Sequence, residues 1–187
     1  YENPMLPFLG DIIYAGKKET PAGMYGWSDL EKLGERITDE QFRAVFDSVD
    51  PQDVTNMQYT SGTTGFPKGV MLTHYNIVNN GKCIGDCMKF THEDRLCIPV
   101  PFFHCFGLVL AVMACLTHAS SMVPIETYRP TEVMKALQNE ECTAVHGVPT
   151  MFIAMLEHPT FHHYKFPRLR TGIMAGSPCP INVMELV

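Results

Sequence analysis

Residues 59–69 read Tyr59-Thr60-Ser61-Gly62-Thr63-Thr64-Gly65-Phe66-Pro67-Lys68-Gly69, and their types suit the holding of phosphate oxygens. Gly62, Gly65 and Gly69 can take positive φ and let backbone N–H groups converge on an anion. The hydroxyls of Thr60, Ser61, Thr63 and Thr64 add donors without adding charge, and Lys68 supplies a point cation. No carboxylate lies between Asp53 and Asp86, whereas Lys68 and Lys82 do, so this window is positive in a chain of net charge −6. A Walker A loop needs a glycine before its lysine and Ser or Thr after it. Pro67 and Gly69 stand there instead, and that reading fails. A Gly/Thr-rich hairpin without a ligand is the plain alternative.

Three later stretches could meet a substrate: Pro101–Gly107, His146–Thr150 and Met174–Pro178. The surrounding pattern predicts that each follows a strand. Leu96–Pro101 reads as a short buried strand ended by its prolines, Thr143–His146 as a second and Thr171–Ala175 as a third, with Ser121–Ile125 as another. Helices are expected from Thr73, as cap, to about Met88 with Ile77, Val78, Ile84 and Met88 near one face. Others are expected over Gly107–Leu116, over Thr131–Glu140 opened by Pro130 with Val133, Met134 and Leu137 inward, over Thr150–Leu156 and from Ile181 onward. Strands alternating with helices imply right-handed crossovers, so the fold class is α/β with a mostly parallel sheet. In such sheets ligands gather at the carboxyl ends of the strands.

Before the glycine-rich stretch, residues 1–23 are punctuated by Pro and Gly, with a short strand at Ile12–Ala15. Helices are expected from Trp27 to Leu33 with Ser28 as cap, and over Asp39–Phe46 with Thr38 as cap and a solvated charged face. Asp50–Asp53 reads as a turn. Nothing in 1–53 carries chemistry by itself.

Composition excludes several classes. With 187 residues, 45% hydrophobic and 18% charged, the chain can bury one medium core. Its acidity argues against nucleic acid or an acidic membrane as partner. Seven cysteines without a Cys-x-x-Cys pair match neither a zinc ribbon nor a thioredoxin motif, and buried reduced thiols in a reducing compartment such as the cytoplasm are expected. Cys83 and Cys87 could share a helix face, with no further ligands to complete a metal site. No signal peptide is visible, and the longest apolar stretch, Phe106–Leu116, is too short to span a bilayer. Oligomeric state is not legible. Tyr1 at the start and a final motif close to Val187 read as the ends of a piece of a longer protein.

The eleven residues 59–69 resemble the signature loop of the adenylate-forming superfamily: acyl-CoA synthetases, aryl-CoA ligases, firefly-type luciferases and peptide-synthetase adenylation domains. The resemblance implies acyl adenylation followed by thioester formation, with ATP, Mg2+ and CoA. It implies that Thr60, Ser61, Gly62, Thr63, Thr64, Gly65, Pro67, Lys68 and Gly69 hold the ATP phosphates, Lys68 stabilising their charge and Thr64 reaching the metal. Residues 101–107 are similar to the family's Pro-x-[Phe/His]-His-x-x-Gly region. That likeness places Phe103, His104 and Gly107 at the acid, His104 as a positioning group and not a general base. The segment corresponding to 146–150 borders the acyl pocket in the family, here through Val148. Residues 174–178 are similar to the Gly-Gly-Ala-Pro turn against adenine, with Ala175 replacing the first glycine and Ser177 the alanine. Gly176, Ser177 and Pro178 are then the adenine contacts.

The family's Tyr-Gly-x-Thr-Glu motif, ribose-binding Asp and C-terminal domain with its catalytic Lys are not among these 187 residues, and Lys68 cannot replace that lysine. The expected organisation is a leader over 1–53 and a phosphate-loop and α/β subdomain over 54–187, both part of one N-terminal domain. Phe102, Phe103 and Phe106, with no Asp near the pocket to meet an amine, favour a hydrophobic, fatty acid over an amino acid. The isolated chain is expected to lack turnover. The alternatives are a phosphate-binding module without catalysis and an adenylation domain for another acid.

Overall fold

The computed structural model describes residues 7, 9–60 and 65–187. Its contacts divide the chain into two units, one ending at Asp50 and one beginning at Pro51.

In the first unit, β1 (Ile13–Tyr14) and β2 (Tyr25–Gly26) form a two-residue parallel pair. Helix α1 (Asp29–Gly34) follows. Ser28 precedes it in helical φ/ψ and makes no side-chain cap bond; the local bond is instead from Gly26 N–H to Asp29 Oδ2, 2.9 Å. Helix α2 (Asp39–Ser48) has the expected Thr38 cap as a full capping box, Thr38 Oγ1 accepting from Gln41 N–H and Gln41 Oε1 from Thr38 N–H.

The second unit begins with β3 (Val54–Thr60) and β4 (Lys68–Thr73), an antiparallel hairpin whose last pairs are Tyr59 with Gly69 and Thr60 with Lys68. The two ends of the glycine-rich stretch are therefore paired strands. Thr73 closes a capping box with Asn76 and opens α3 (His74–Met88). Ile77 and Met88 on α3 are buried and Ile84 half-buried, but Val78 is exposed, because it lies about 100° round the helix from Ile77.

Strand β5 (Arg95–Ile98) leads to a π-helical segment, Phe106–Met113, and then α4 (Ala114–His118). Sequence periodicity predicts one α-helix there; the structure divides it, with the wider turn directly after the 101–107 loop. Then come β6 (Ser121–Pro124), α5 (Pro130–Asn139), β7 (Ala144–Gly147), α6 (Pro149–Leu156), β8 (Thr171–Met174) and α7 (Ile181–Leu186). Pro130 and Pro149 each stand in the first helical turn, where a missing N–H costs nothing.

The sheet has order β6-β5-β7-β8 and all its pairs are parallel. Alternation along the strands assigns each residue to a face. Leu96, Ile98 and Ala144 pack with Met88, Phe106, Ala111 and Ala114 on one side. Cys97 and Val145 pack with Val133, Met134, Leu137 and Phe152 on the other. The result is a three-layer sandwich, and each large apolar side chain fully buried in it contributes about 1.5–3 kcal/mol. Close approach of α3 to the segment after β5 depends on Gly81, where a Cβ would come 2.5 Å from Met113 Cβ.

The amino ends of the central strands are tied by one carboxylate. Asp94, 4% exposed, accepts from Arg170 Nε at 3.1 Å and NH2 at 2.7 Å, from Thr143 Oγ1 at 2.6 Å and from Thr91 N–H at 2.8 Å. Arg170 also donates to the carbonyls of Met88 and Lys89 at the end of α3. Burial alone would raise the Asp94 pKa, but the bonds from Arg170, Thr143 and Thr91 outweigh it and hold the carboxyl below its ordinary value.

Candidate functional site

Three loops leave the carboxyl ends of adjacent strands: 99–105 after β5, Val148 after β7, and Ala175–Pro180 after β8. This is where parallel α/β sheets place ligands. The second and third loops touch. Ala175 N–H donates to Gly147 O at 3.1 Å, and a Cβ added at Gly176, where φ is +91°, would stand 3.2 Å from Val148 Cγ1. Gly176, Ser177 and Pro178 are exposed and Val148 half-buried, so the turn presents its backbone outward beside Val148.

In the first loop His104 and Phe103 are exposed, Phe103 at 86%. His104 is thus not a packed core histidine. Its Nδ1 accepts from Phe106 N–H at 3.1 Å, which fixes the ring and leaves Nε2 for a ligand. Gly107 is buried, and a Cβ there would fall 2.3 Å from Pro101 O. The missing side chain lets the helical segment close against the start of its own loop.

The glycine-rich stretch is described only in part. Ser61, Gly62, Thr63 and Thr64, including the expected metal contact at Thr64, lie outside the described residues. Thr60 ends β3; Gly65 takes φ +91° as expected of a loop glycine. Gly69 departs from expectation, being a strand residue opposite Tyr59, where a Cβ would meet Met57 Sδ at 3.1 Å. Pro67 and Lys68 are exposed, Lys68 across the hairpin from Thr60. Lys82, the other cation of the window, is paired with Asp86 at 2.6 Å. Lys68 is therefore the lysine that the hairpin itself presents.

A cavity of about 300 Å³ joins the hairpin to the first loop. Gln58, Thr60, Val70 and Leu72 line it from β3 and β4, Asn76, Ile77 and Asn80 from α3, and Cys105, Val109 and Leu110 from the loop and π-helical segment. The sequence reading did not identify Gln58, Ile77 or Asn80 as site residues. Strand alternation with Thr60 was the signal for Gln58, while the two α3 residues depend on how that helix packs. An open cleft of about 610 Å³ lies elsewhere, between the end of β6 and α5. It shares no residue with the three loops, and its Glu132 and Lys135 pair with each other at 3.0 Å.

His146, the first residue of the second stretch, is not exposed on the loop but fully buried at the end of β7. It lies on the face of the sheet that meets the π-helical segment, its ring centroid 5.5 Å from that of Phe106.

All seven cysteines are free; Cys97, Cys115 and Cys142 are buried, whereas Cys83 and Cys87 lie exposed on the outer face of α3. Expectation had them all buried, but i, i+4 spacing only puts the pair on one face and does not say which. Among the described residues no three His, Cys, Asp or Glu side chains come together as a metal site, and no helix is long and apolar enough to cross a membrane.

The sequence profile of the family described as AMP-binding enzyme matches residues 14–187. YngI of Bacillus subtilis (strain 168), provisionally named an acyl-CoA synthetase, is 55% identical over 97% of this chain and 33% of its own length. The acyl-CoA ligase SID4 of Ajellomyces capsulatus is 52% identical over 96% of this chain and 30% of its own. The crystal structure of ATP-bound MatB from Rhodopseudomonas palustris superposes with a TM-score of 0.63 at 29% identity, over 73% of this chain and 27% of that one. The chain thus spans about a third of the length of the curated relatives it matches.

Proposed function

The chain belongs to the AMP-binding enzyme family, and on that premise we propose that the full-length protein is an ATP-dependent acid–CoA ligase. A carboxylate oxygen of the acid attacks the α-phosphorus of ATP, pyrophosphate leaves, and an acyl-adenylate forms. The thiol of CoA then attacks the acyl carbon and AMP departs.

The observation that carries this reading is the cavity lined by both Thr60 and Cys105. It brings the start of the glycine-rich loop and the end of the loop after β5 to one space, as attack of a carboxylate on a bound phosphate requires. In this reading Thr60–Gly69 hold the phosphates through backbone and hydroxyl donors, and Lys68 balances the charge that develops on the leaving pyrophosphate. Gly176–Pro178 meet adenine with bare backbone. His104 orients the acid, with Phe103 and Val148 beside it. Thr64 is the residue of this chain that would hold magnesium, which would supply positive charge against that of the leaving pyrophosphate.

The acid we propose is hydrophobic, a fatty acid. Val70, Leu72, Ile77, Val109 and Leu110 give the cavity an apolar wall, and none of its lining residues is a carboxylate that could bind an amine. The free thiols favour a reducing compartment, and we place the protein in the cytoplasm. The test is AMP and thioester release by the full-length protein across a panel of carboxylates, with ATP and CoA both required. Release only with amino acids would overturn the reading, and so would ATP binding with no turnover of any acid, the result expected of a non-catalytic phosphate-binding module.

A further inference from the structure

His146 sits where an apolar side chain would cost less. It is fully buried, in the layer between β7 and the π-helical segment. Nε2 lies 2.9 Å from Leu110 O, and a carbonyl can only accept, so Nε2 carries the proton. Nδ1 is then an acceptor, buried and without a hydrogen-bond partner among the described residues. Burial pushes the imidazole below its ordinary pKa, against the pull of the Leu110 and Val145 carbonyls. A buried polar atom left unpaired is destabilising, so the side chain must return something at its other nitrogen.

What it returns is a side-on hydrogen bond to a backbone carbonyl of the π-helical segment. In a regular α-helix Leu110 O would accept from Ala114 N–H, but Ala114 N–H is turned to Ala111 O. His146 occupies Leu110 O from the side, and its ring stands over Phe106, one turn earlier, at an interplanar angle of 30°. Two successive turns of the segment are thereby set by one residue of β7. Those turns carry Val109 and Leu110 into the cavity wall, next to Cys105.

We propose that His146 is a positioning residue for the acid site: its Nε2–H holds the Leu110 carbonyl and stabilises the π-helical turn that shapes the cavity. Wide turns of this kind recur at functional sites, where they re-aim side chains. The inference rests on the proposed acid–CoA ligase reading. It assigns selectivity among acids to a residue that need not touch the acid.

The test uses the full-length protein in three forms: wild type, His146→Leu, which fills the space without a donor, and His146→Gln, whose amide can still donate to Leu110 O. Melting temperature, KM for ATP and kcat/KM across a graded series of acids are measured for each, with amide exchange of residues 106–115 in the absence of ligand. His146→Leu is expected to speed exchange in that segment and to raise KM for the preferred acid by about tenfold, the effect of losing one buried hydrogen bond. It should also change the order of preference among acids and leave KM for ATP within about twofold. His146→Gln is expected to restore most of this. An active wild type with an unchanged acid profile in His146→Leu overturns the inference, as does equal damage to acid and ATP kinetics in both variants, which marks a merely structural residue. If His146→Leu does not fold, His146→Gln decides alone: wild-type acid preference and exchange support the inference, and a collapsed preference in a folded protein overturns it. A wild type that forms no thioester from any acid overturns the ligase reading and this inference with it.

Discussion

Gly107→Ala is the most demanding perturbation of the acid loop, because it adds one methyl group where the structure has no room. The new Cβ would stand 2.3 Å from Pro101 O, 2.7 Å from Pro101 C and 3.1 Å from Phe102 Cα. All three are backbone atoms, so no side chain can swing away to relieve the clash. The nearest must retreat by about 1 Å to reach ordinary contact, an overpacking that costs about 1–3 kcal/mol. The movement falls on the loop carrying His104 and on the segment carrying Val109 and Leu110. A displacement of that size at a reacting pair costs up to about a hundredfold in rate. Denaturant unfolding of the full-length protein should show the stability loss, and steady-state kinetics should show acid kcat/KM reduced about ten- to a hundredfold with KM for ATP within about twofold. Unchanged unfolding together with unchanged acid kinetics would refute the close packing of Gly107 on Pro101. Damage confined to ATP would mean that the loop serves the other substrate.

Three other perturbations probe the hairpin, the acid loop and the buried carboxylate in turn. Lys68→Ala removes the charge presented by the hairpin, a charge-assisted bond of about 1.5–3 kcal/mol, so kcat/KM for ATP should fall about ten- to a hundredfold in a protein that melts normally; an unchanged value would refute the role. His104→Ala should raise KM for the acid and spare nucleotide affinity, measured by ATP titration, because His104 lies on the loop after β5 and not on the hairpin. Asp94→Asn replaces the shared acceptor of Arg170, Thr143 and Thr91 with a group that turns N–H toward Arg170 or Thr91, and should destabilise by about 1.5–3 kcal/mol at neutral pH. Since the Asp94 carboxyl is held below its ordinary pKa, its contribution is complete above about pH 4 and is lost as pH falls through the lowered value. The gap between wild-type and Asp94→Asn unfolding free energies should therefore close in acid, and a gap independent of pH down to full unfolding would refute the pairing.

Much of this molecule was legible along the chain, and the legible parts share a cause. Thr38 and Thr73 as caps, Pro130 as the start of α5, and Val133, Met134 and Leu137 as its inward face all follow from geometry repeated within one or two turns. The short strands lay within a few residues of where they were expected, and their alternation with helices gave the parallel sheet and its three loops. The positive φ of Gly65 was legible because it follows from residue type and not from packing.

What the chain could not disclose were relations between distant residues. Asp94 meets Arg170 across 76 positions, and nothing near either one distinguishes them from surface charges. Gln58, Ile77 and Asn80 share a cavity only because the hairpin, α3 and the π-helical segment converge there. Cys83 and Cys87 have helical spacing that is the same whether their face turns in or out. His146 follows Ala144-Val145 like any residue at a strand's end, and its burial depends on what covers β7. The division of Phe106–His118 into a π-helical and an α-helical part is likewise a compromise with neighbours, with His146 satisfying a carbonyl from outside the helix. Local periodicity fixes which way a side chain points along its own element; only packing decides what stands opposite it.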